Sequence, residues 1–158
     1  MIASYAAWCN HYPSPPMFKS SSIFALALGL GALAPAALIA APHGTAIALQ
    51  KAEAPVTGTV TVGHEGNKTT LVFSKDFSTN PKAPALQVVL LKSSAPLKTL
   101  KAPSYPLTPG SYTQVAPLKS YNGAQTYTLP AGVDINASGS VLIWCKQANA
   151  TMAWAPLK

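Results

Sequence analysis

Ser140-Val-Leu-Ile-Trp-Cys-Lys146 is an apolar run with a cysteine near its end, and Ala150-Thr-Met-Ala-Trp-Ala-Pro-Leu157 follows it after a short turn. Short apolar runs rich in β-branched and aromatic residues are typical of buried strands. Side chains alternate along an extended strand, so we expect Cys145 on the same face as Ile143 and on the opposite face from Lys146. The run therefore predicts a buried strand that carries the cysteine.

Short β-rich runs separated by turn residues recur before this strand, and no apolar pattern with a helical period is long enough for an amphipathic helix. Thr57 to His64 and Thr69 to Phe73 flank the turn at Glu65-Gly-Asn67 and predict a hairpin. Leu86 to Leu91 has no polar face, which predicts a buried strand. Together with Gln125 to Leu129, these runs predict a single all-β domain, an antiparallel β-sandwich or flattened barrel of five or six strands.

The segment Ser93 to Pro117 carries five of the chain's prolines, with Lys98 and Lys101 between them. Proline cannot donate a backbone hydrogen bond, so this many prolines are incompatible with a central strand. The composition predicts a long surface connection.

The N-terminal region has the layout of a signal peptide, with an uncharged Ala- and Leu-rich run from Ile23 to Ala41 and Lys19 just before it. An uncleaved membrane anchor is the competing interpretation, because a run of this length nearly spans a bilayer. In both cases the following domain is expected outside the cytoplasm, in the periplasm or secreted. After cleavage, no membrane span is expected in the mature chain.

The predicted boundaries follow from the small-residue pattern Ala46-Ile-Ala48, which offers a cleavage point before Leu49, with a cut near Ala40 or Ala41 as the alternative. Residues 1–48 are then the signal peptide region, residues 49–55 a short linker and residues 56–158 the β domain. Met17-Phe-Lys19 resembles the start of a signal peptide, so Met17 is a candidate for the true start.

The chain that follows Ala48 has ten lysines against four acidic residues and no arginine, a net charge of +6. The lysines are scattered singly, whereas a nucleic-acid-binding protein would cluster them and use arginine. We therefore expect a solvated basic surface on a monomer that does not bind nucleic acid. A weak attraction to anionic lipid or to an acidic partner is compatible with this charge.

The order of the motifs resembles the DM13 domain family, from a "G…H" opening to a "SVxIWCK" strand and a closing "A-P-L". The matching residues are Gly58, His64, Asp76, Phe77, Pro84, Leu86, Val88, Leu90, Leu118, Lys119, Gly123, Gln125, Tyr127, Leu129, Pro130, Val133, Asp134, Val141, Ile143, Trp144, Cys145, Lys146, Ala155, Pro156 and Leu157. Where the family usually has a glycine and an acidic residue, this chain has Ala83 and Ala85. The family is regarded as a candidate electron-transfer module because of its cysteine, so the resemblance implies redox or haem chemistry at Cys145.

Three roles are compatible with Cys145, the one cysteine after the predicted cleavage point. Unpaired cysteine is among the most buried residue types, so it can be a small core residue. It can also be a redox thiol or ligand, or pair with another chain in an intermolecular disulfide. A thiol pair with His64 is a further arrangement that the sequence permits.

The cofactor remains unknown from sequence, with haem as one candidate. Haem held without a covalent bond needs only one or two axial ligands, and Cys145, His64 and Met152 are the candidates. The absence of Cys-x-x-Cys and Cys-x-x-Cys-His gives no support to dithiol exchange or covalent haem. A blue-copper site needs two histidines, and only His64 follows Ala48, so no metal site is predicted.

The sequence predicts an exported protein with a redox or electron-transfer role centred on Cys145 and an unidentified redox or surface partner. The alternative is a binding or adhesion module in which Cys145 is a core residue and the Pro/Lys connection or Tyr105, Tyr112 and Tyr121 form the contact surface. Hydrolytic chemistry has little support, because no nucleophile elbow is present and His64 would be the sole base. A classical enzyme activity is therefore not expected.

Overall fold

The computed structural model describes residues 44–158, so Met17 and the apolar run from Ile23 to Ala41 lie outside the described residues. The described residues form nine strands, a one-turn α-helix and a short 3-10 helix. They are β1 (Ala46–Ala48), β2 (Gln50–Lys51), β3 (Thr59–Glu65), β4 (Lys68–Phe73), β5 (Leu86–Leu91), α1 (Pro96–Thr99), β6 (Tyr112–Pro117), β7 (Gln125–Thr128), the 3-10 helix (Ile135–Ala137), β8 (Ser140–Cys145) and β9 (Ala150–Pro156). No helix among residues 44–158 is long and apolar enough to cross a membrane.

The strands form two antiparallel sheets that pack face to face. The four-stranded sheet has the order β1-β3-β4-β7, and the five-stranded sheet has the order β2-β9-β8-β5-β6. This confirms the predicted all-β sandwich. A flattened barrel is not formed, because β1 and β7 end one sheet while β2 and β6 end the other.

Two completely buried strands, β5 and β8, organise the five-stranded sheet. They pair from Leu86 opposite Cys145 to Leu91 opposite Ser140, and every residue of both strands is buried. Their inner faces contribute to the core between the sheets. Because burying one large apolar side chain contributes roughly 1.5–3 kcal/mol, this strand pair is a major source of the fold's stability.

The outer face of the five-stranded sheet carries a second apolar cluster, which the segment 92–111 covers. Its buried members are Val89, Leu91, Leu107, Leu142, Trp144 and Trp154. Leu97 and Leu100 from the covering segment pack against them. The sequence therefore specifies a strand pair that must be covered on both faces.

The predicted surface connection from Ser93 to Pro117 was partly wrong. Leu107 is only 3% exposed, so the connection is part of the core rather than only a surface loop. Tyr112–Pro117 forms β6, which pairs with β5 at the edge of the sheet. An edge strand tolerates proline, since one side of its backbone needs no partner strand.

The Asn149 side chain binds the connection between β5 and β6 to the five-stranded sheet through hydrogen bonds. Its Oδ1 accepts hydrogen bonds from the Leu107 backbone N–H at 2.9 Å and from Trp144 Nε1 at 3.1 Å. Its Nδ2 donates to the Leu107 carbonyl at 3.2 Å. One side chain thus satisfies both backbone groups of Leu107 and the indole of Trp144.

The predicted hairpin is confirmed. β3 and β4 pair from Val60 opposite Phe73 to Glu65 opposite Lys68. Two residues connect the strands, and the first of them, Gly66, has a φ of +58°, a conformation that glycine adopts readily.

The segment before the hairpin belongs to both sheets. Ala46–Ala48 pairs with β3, and Gln50–Lys51 pairs with β9, so the chain crosses between the sheets at Leu49. In residues 49–55, which the sequence predicted as a linker, Leu49 and Ala54 are buried. This segment therefore closes one side of the sandwich.

Candidate functional site around Cys145

Cys145 is the last residue of β8 and is 1% exposed. Val141 and Ile143 lie with it in the cluster between the sheets, whereas Trp144 lies in the outer cluster. The predicted alternation of side chains along this strand is therefore confirmed. The next residue, Lys146, is exposed.

The Cys145 thiol lies under the turn that leads into β5. Its Sγ donates a hydrogen bond to the Pro84 carbonyl at 3.0 Å, and Leu86 is its partner residue across the strand pair. Pro84 and Ala85 are themselves exposed. The thiol is thus enclosed, but the residue that accepts its hydrogen bond reaches the protein surface.

The turn over the thiol contains a residue in an unfavourable conformation. Ala85 has a φ of +54°, the left-handed region, which residues with a Cβ adopt at a cost of about 1–2 kcal/mol. Its carbonyl accepts from the Lys146 N–H at 3.2 Å and from Gln87 Nε2 at 3.3 Å. The bond from Lys146 holds the turn against the end of β8.

His64 lies at the other end of the sandwich. It is exposed beside the β3–β4 turn, and its Nδ1 is 3.4 Å from Thr69 Oγ1. β4 runs from this turn to Phe73, from which the chain crosses to Leu86 beside Cys145. The length of β4 therefore separates His64 from Cys145, on the order of 15–20 Å, and the two do not form a thiol pair.

Met152 shares the inter-sheet cluster with Cys145 and is 8% exposed. It lies in β9 where the register with β8 shifts. Its carbonyl accepts from the N–H groups of Ala52 at 3.0 Å and Ala54 at 3.1 Å. Met152 is therefore a core residue whose backbone also binds the segment before β3.

The sequence motifs included Lys119, Gln125 and Tyr127 but did not reveal that they form a polar network. This network holds the crossover between the sheets near this site. The Tyr127 hydroxyl donates to Gln125 Oε1 at 2.5 Å and accepts from the Lys119 N–H at 2.8 Å. Burial raises the pKa of Tyr127, and the hydrogen bond from Lys119 opposes that effect. The Tyr127 ring meets Phe73 edge to face, with centroids 5.6 Å apart.

The family described as "Electron transfer DM13" matches residues 48–157. The chain belongs to the DM13 family. No curated protein and no solved structure matches it. Family membership suggests a role related to electron transfer for this DM13 domain.

Gln125 and Tyr127, which match the family's "Q-x-Y" run, form the network that anchors the crossover from Lys119. Ala85 lies in the left-handed region, which Asn and Asp tolerate better than Ala does.

The three candidate haem ligands do not converge on one pocket. An axial ligand needs a cavity that opens onto its side chain. The sulfur of Cys145 is enclosed, His64 is at the other end and Met152 is in the closed core. Two clefts of about 280 and 290 Å³ are lined by other residues. The described residues therefore do not fit a haem held by these side chains. No group of three His, Cys, Asp or Glu side chains that could hold a metal occurs within residues 44–158.

We expect Ala85→Gly and Ala85→Asn to raise the free energy of unfolding by about 0.5–1 kcal/mol, because both residues adopt positive φ more readily. Urea unfolding measures the change. Ala83→Gly is the matched control, since Ala83 is buried in the same turn without a positive φ and should lose a similar amount. A loss of stability in Ala85→Gly would show that this backbone is not strained in solution.

We expect Tyr127→Phe to lower the free energy of unfolding by about 1–2 kcal/mol, since it removes a donor and an acceptor from a buried network. The effect should also depend on pH. Because burial raises the folded-state pKa, the folded protein holds the phenolic proton more tightly than the unfolded chain does. The stability from this group is present below the unfolded-state pKa of about 10 and is lost as the pH rises through the folded-state value.

The measurement is urea unfolding of both proteins between about pH 8 and pH 11. The difference between wild type and Tyr127→Phe should shrink towards the alkaline end. Tyr121→Phe is the control, because Tyr121 is 39% exposed and should change little. A difference that stays constant with pH would contradict the role of Tyr127.

Proposed function

We propose that this DM13 domain takes part in electron transfer outside the cytoplasm, with Cys145 as its redox group. Family membership supports the electron-transfer role. The observation that carries the assignment to Cys145 is its hydrogen bond to the exposed Pro84, because it puts the thiol one residue away from the surface. Cys145 is also the one cysteine within residues 44–158.

Enclosure and electron transfer are compatible at this site. Oxidation to sulfenic and higher acids occurs readily at thiolates that have a low pKa and are accessible to solvent. Cys145 is buried, so its sulfur is shielded from this oxidation. In a one-electron step, the thiol would give an electron to a one-electron acceptor on a partner and its proton to solvent, leaving a sulfur-centred radical. The Pro84 carbonyl accepts the thiol hydrogen bond but is too weak a base to keep the proton, which passes to solvent.

The second candidate is a binding or adhesion module with Cys145 as a core residue, and the 1% exposure of Cys145 favours it. Two of the three tyrosines proposed for its contact surface are poorly placed. Tyr112 is half-buried against Trp144, with ring centroids 5.0 Å apart, and Tyr105 is also half-buried. Tyr121 is the exposed one.

Oxidation by a one-electron oxidant distinguishes the electron-transfer role from the binding module. Absorption and electron paramagnetic resonance spectroscopy follow the reaction. We expect oxidation of the wild type to give a sulfur-centred radical and both Cys145→Ser and Cys145→Ala to lose that signal. Ser keeps a donor for Pro84 and Ala keeps an apolar contact, so a loss shared by both points to the thiol rather than to packing. Wild-type electron exchange in both variants would exclude Cys145 as the redox group.

Thiol titration in the folded and unfolded states accompanies this experiment. A thiol that reacts only after unfolding, in a protein without electron exchange, would favour the binding module. A visible absorption band in the purified protein would identify a bound cofactor that the three candidate ligands do not explain.

We propose further that export removes the N-terminal region at a point upstream of β1. Cleavage after Ala48 would delete Ala46–Ala48, which pairs with β3, and with it the half-buried Ile47. A cut near Ala40 or Ala41 keeps this strand. The intact mass of the protein recovered outside the cytoplasm should therefore correspond to a chain starting before Ala46. A mature chain starting at Leu49, or an uncleaved chain, would contradict the proposal.

A further inference from the structure

We infer that an acidic protein partner docks on the end of the sandwich that covers Cys145. This surface, the thiol end, consists of the segments 78–85, 118–124 and 146–149. The inference rests on the proposed electron-transfer role, for which it supplies the kind of partner and the place of contact.

The three segments form one continuous surface. The Thr79 N–H donates to the Tyr121 carbonyl at 2.9 Å, which joins the first segment to the second. The Lys146 N–H donates to the Ala85 carbonyl at 3.2 Å, which joins the first to the third. Loops that are widely separated in sequence are thus held together by backbone hydrogen bonds over the thiol.

The charge of the thiol end is uniformly positive. Its segments contain Lys82, Lys119 and Lys146 and no acidic residue, and all three lysines are exposed. Lys119 is held in place, since its Nζ donates to the Thr126 carbonyl and lies 5.0 Å from the centre of the Tyr127 ring. Asp76 is the acidic residue nearest to these segments in sequence, two residues before the first. Glu53 accepts a hydrogen bond from the Ser104 N–H. Complementary charge of this kind speeds the encounter with an acidic partner.

The thiol end also offers an anchor point. Tyr121 is 39% exposed, and a largely apolar cleft of about 280 Å³ lies against the first segment. Pro55, Val56, Thr57, Ser78, Thr79, Asn80 and Pro81 line the cleft. The Thr79 hydroxyl is buried without a hydrogen-bond partner. An exposed aromatic side chain beside a cleft, inside a charged rim, is the usual composition of an interface hot spot.

The position of the surface links docking to the thiol. Pro84 and Ala85, the last residues of the first segment, are exposed, and the Pro84 carbonyl is 3.0 Å from Cys145 Sγ. A partner seated here is separated from the sulfur by the thickness of that turn. The concave cleft fits a protruding side chain of a protein better than it fits the flat surface of a membrane.

The test is an NMR titration of the ¹⁵N-labelled protein, purified as the cell processes it, with decaglutamate as the probe. We expect shifts at the amides of the thiol end and about tenfold weaker binding in the double variant Lys82→Glu, Lys146→Glu. The matched control is Lys68→Glu, Lys92→Glu. It makes the same change of charge at exposed lysines of the opposite end, and we expect less than about twofold weakening.

Shifts spread over all lysines, or an equal loss in the control variant, would overturn the docking surface. Binding to phosphatidylglycerol vesicles that is tighter than binding to decaglutamate, and that the double variant Lys82→Glu, Lys146→Glu loses, would contradict the protein partner. It would indicate that a membrane docks on this surface. Comparing this titration with the one-electron oxidation of the wild type separates this inference from the proposed function. Specific binding at the thiol end together with a redox-inert Cys145 would support the docking surface and contradict the redox role. A redox-active Cys145 without specific binding would contradict the docking surface alone.

Discussion

The pairing of β5 with β8 is the constraint on which the rest of the structure depends. Both strands are apolar on both faces, so the sheet that contains them has no face that can be left in water. The four-stranded sheet covers one face, and the Pro-rich segment 92–111 covers the other. The long connection is therefore required by the same residues that make the strands, and Asn149 supplies the polar contacts that keep it in place.

This constraint also determines the environment of Cys145. The residue ends β8 on the face between the sheets, so its side chain is enclosed wherever the strand is paired. Its position at the strand's end, rather than its middle, brings it beneath the turn of Pro84 and Ala85. A cysteine two residues earlier on the same face, at the position of Ile143, would lie deeper under Val88, its partner across the strand pair.

The local periodicity was enough to predict the β3–β4 hairpin, the strands β5 and β8, and the face on which Cys145 lies. It could not predict β1 and β2, because two- and three-residue strands are defined by their partners rather than by their own pattern. It also missed β6, because four prolines precede this strand and a fifth, Pro117, ends it at the edge of the sheet. The separation of His64 from Cys145 depends on how the sheets stack, and no spacing along the chain contains that information.

The burial of the Cys145 thiol affects two kinds of redox chemistry differently, because only one of them needs another molecule to touch the sulfur. Forming a disulfide or a sulfenic acid requires another molecule to reach the sulfur, and the turn over Cys145 prevents this as long as it is closed. Transfer of an electron requires only that the partner come near, and the exposed turn of Pro84 and Ala85 permits that. Burial thus argues against thiol exchange and not against electron transfer. For the same reason the strain at Ala85 bears on the site, because the conformation of this one residue helps to keep the Pro84 carbonyl over the sulfur.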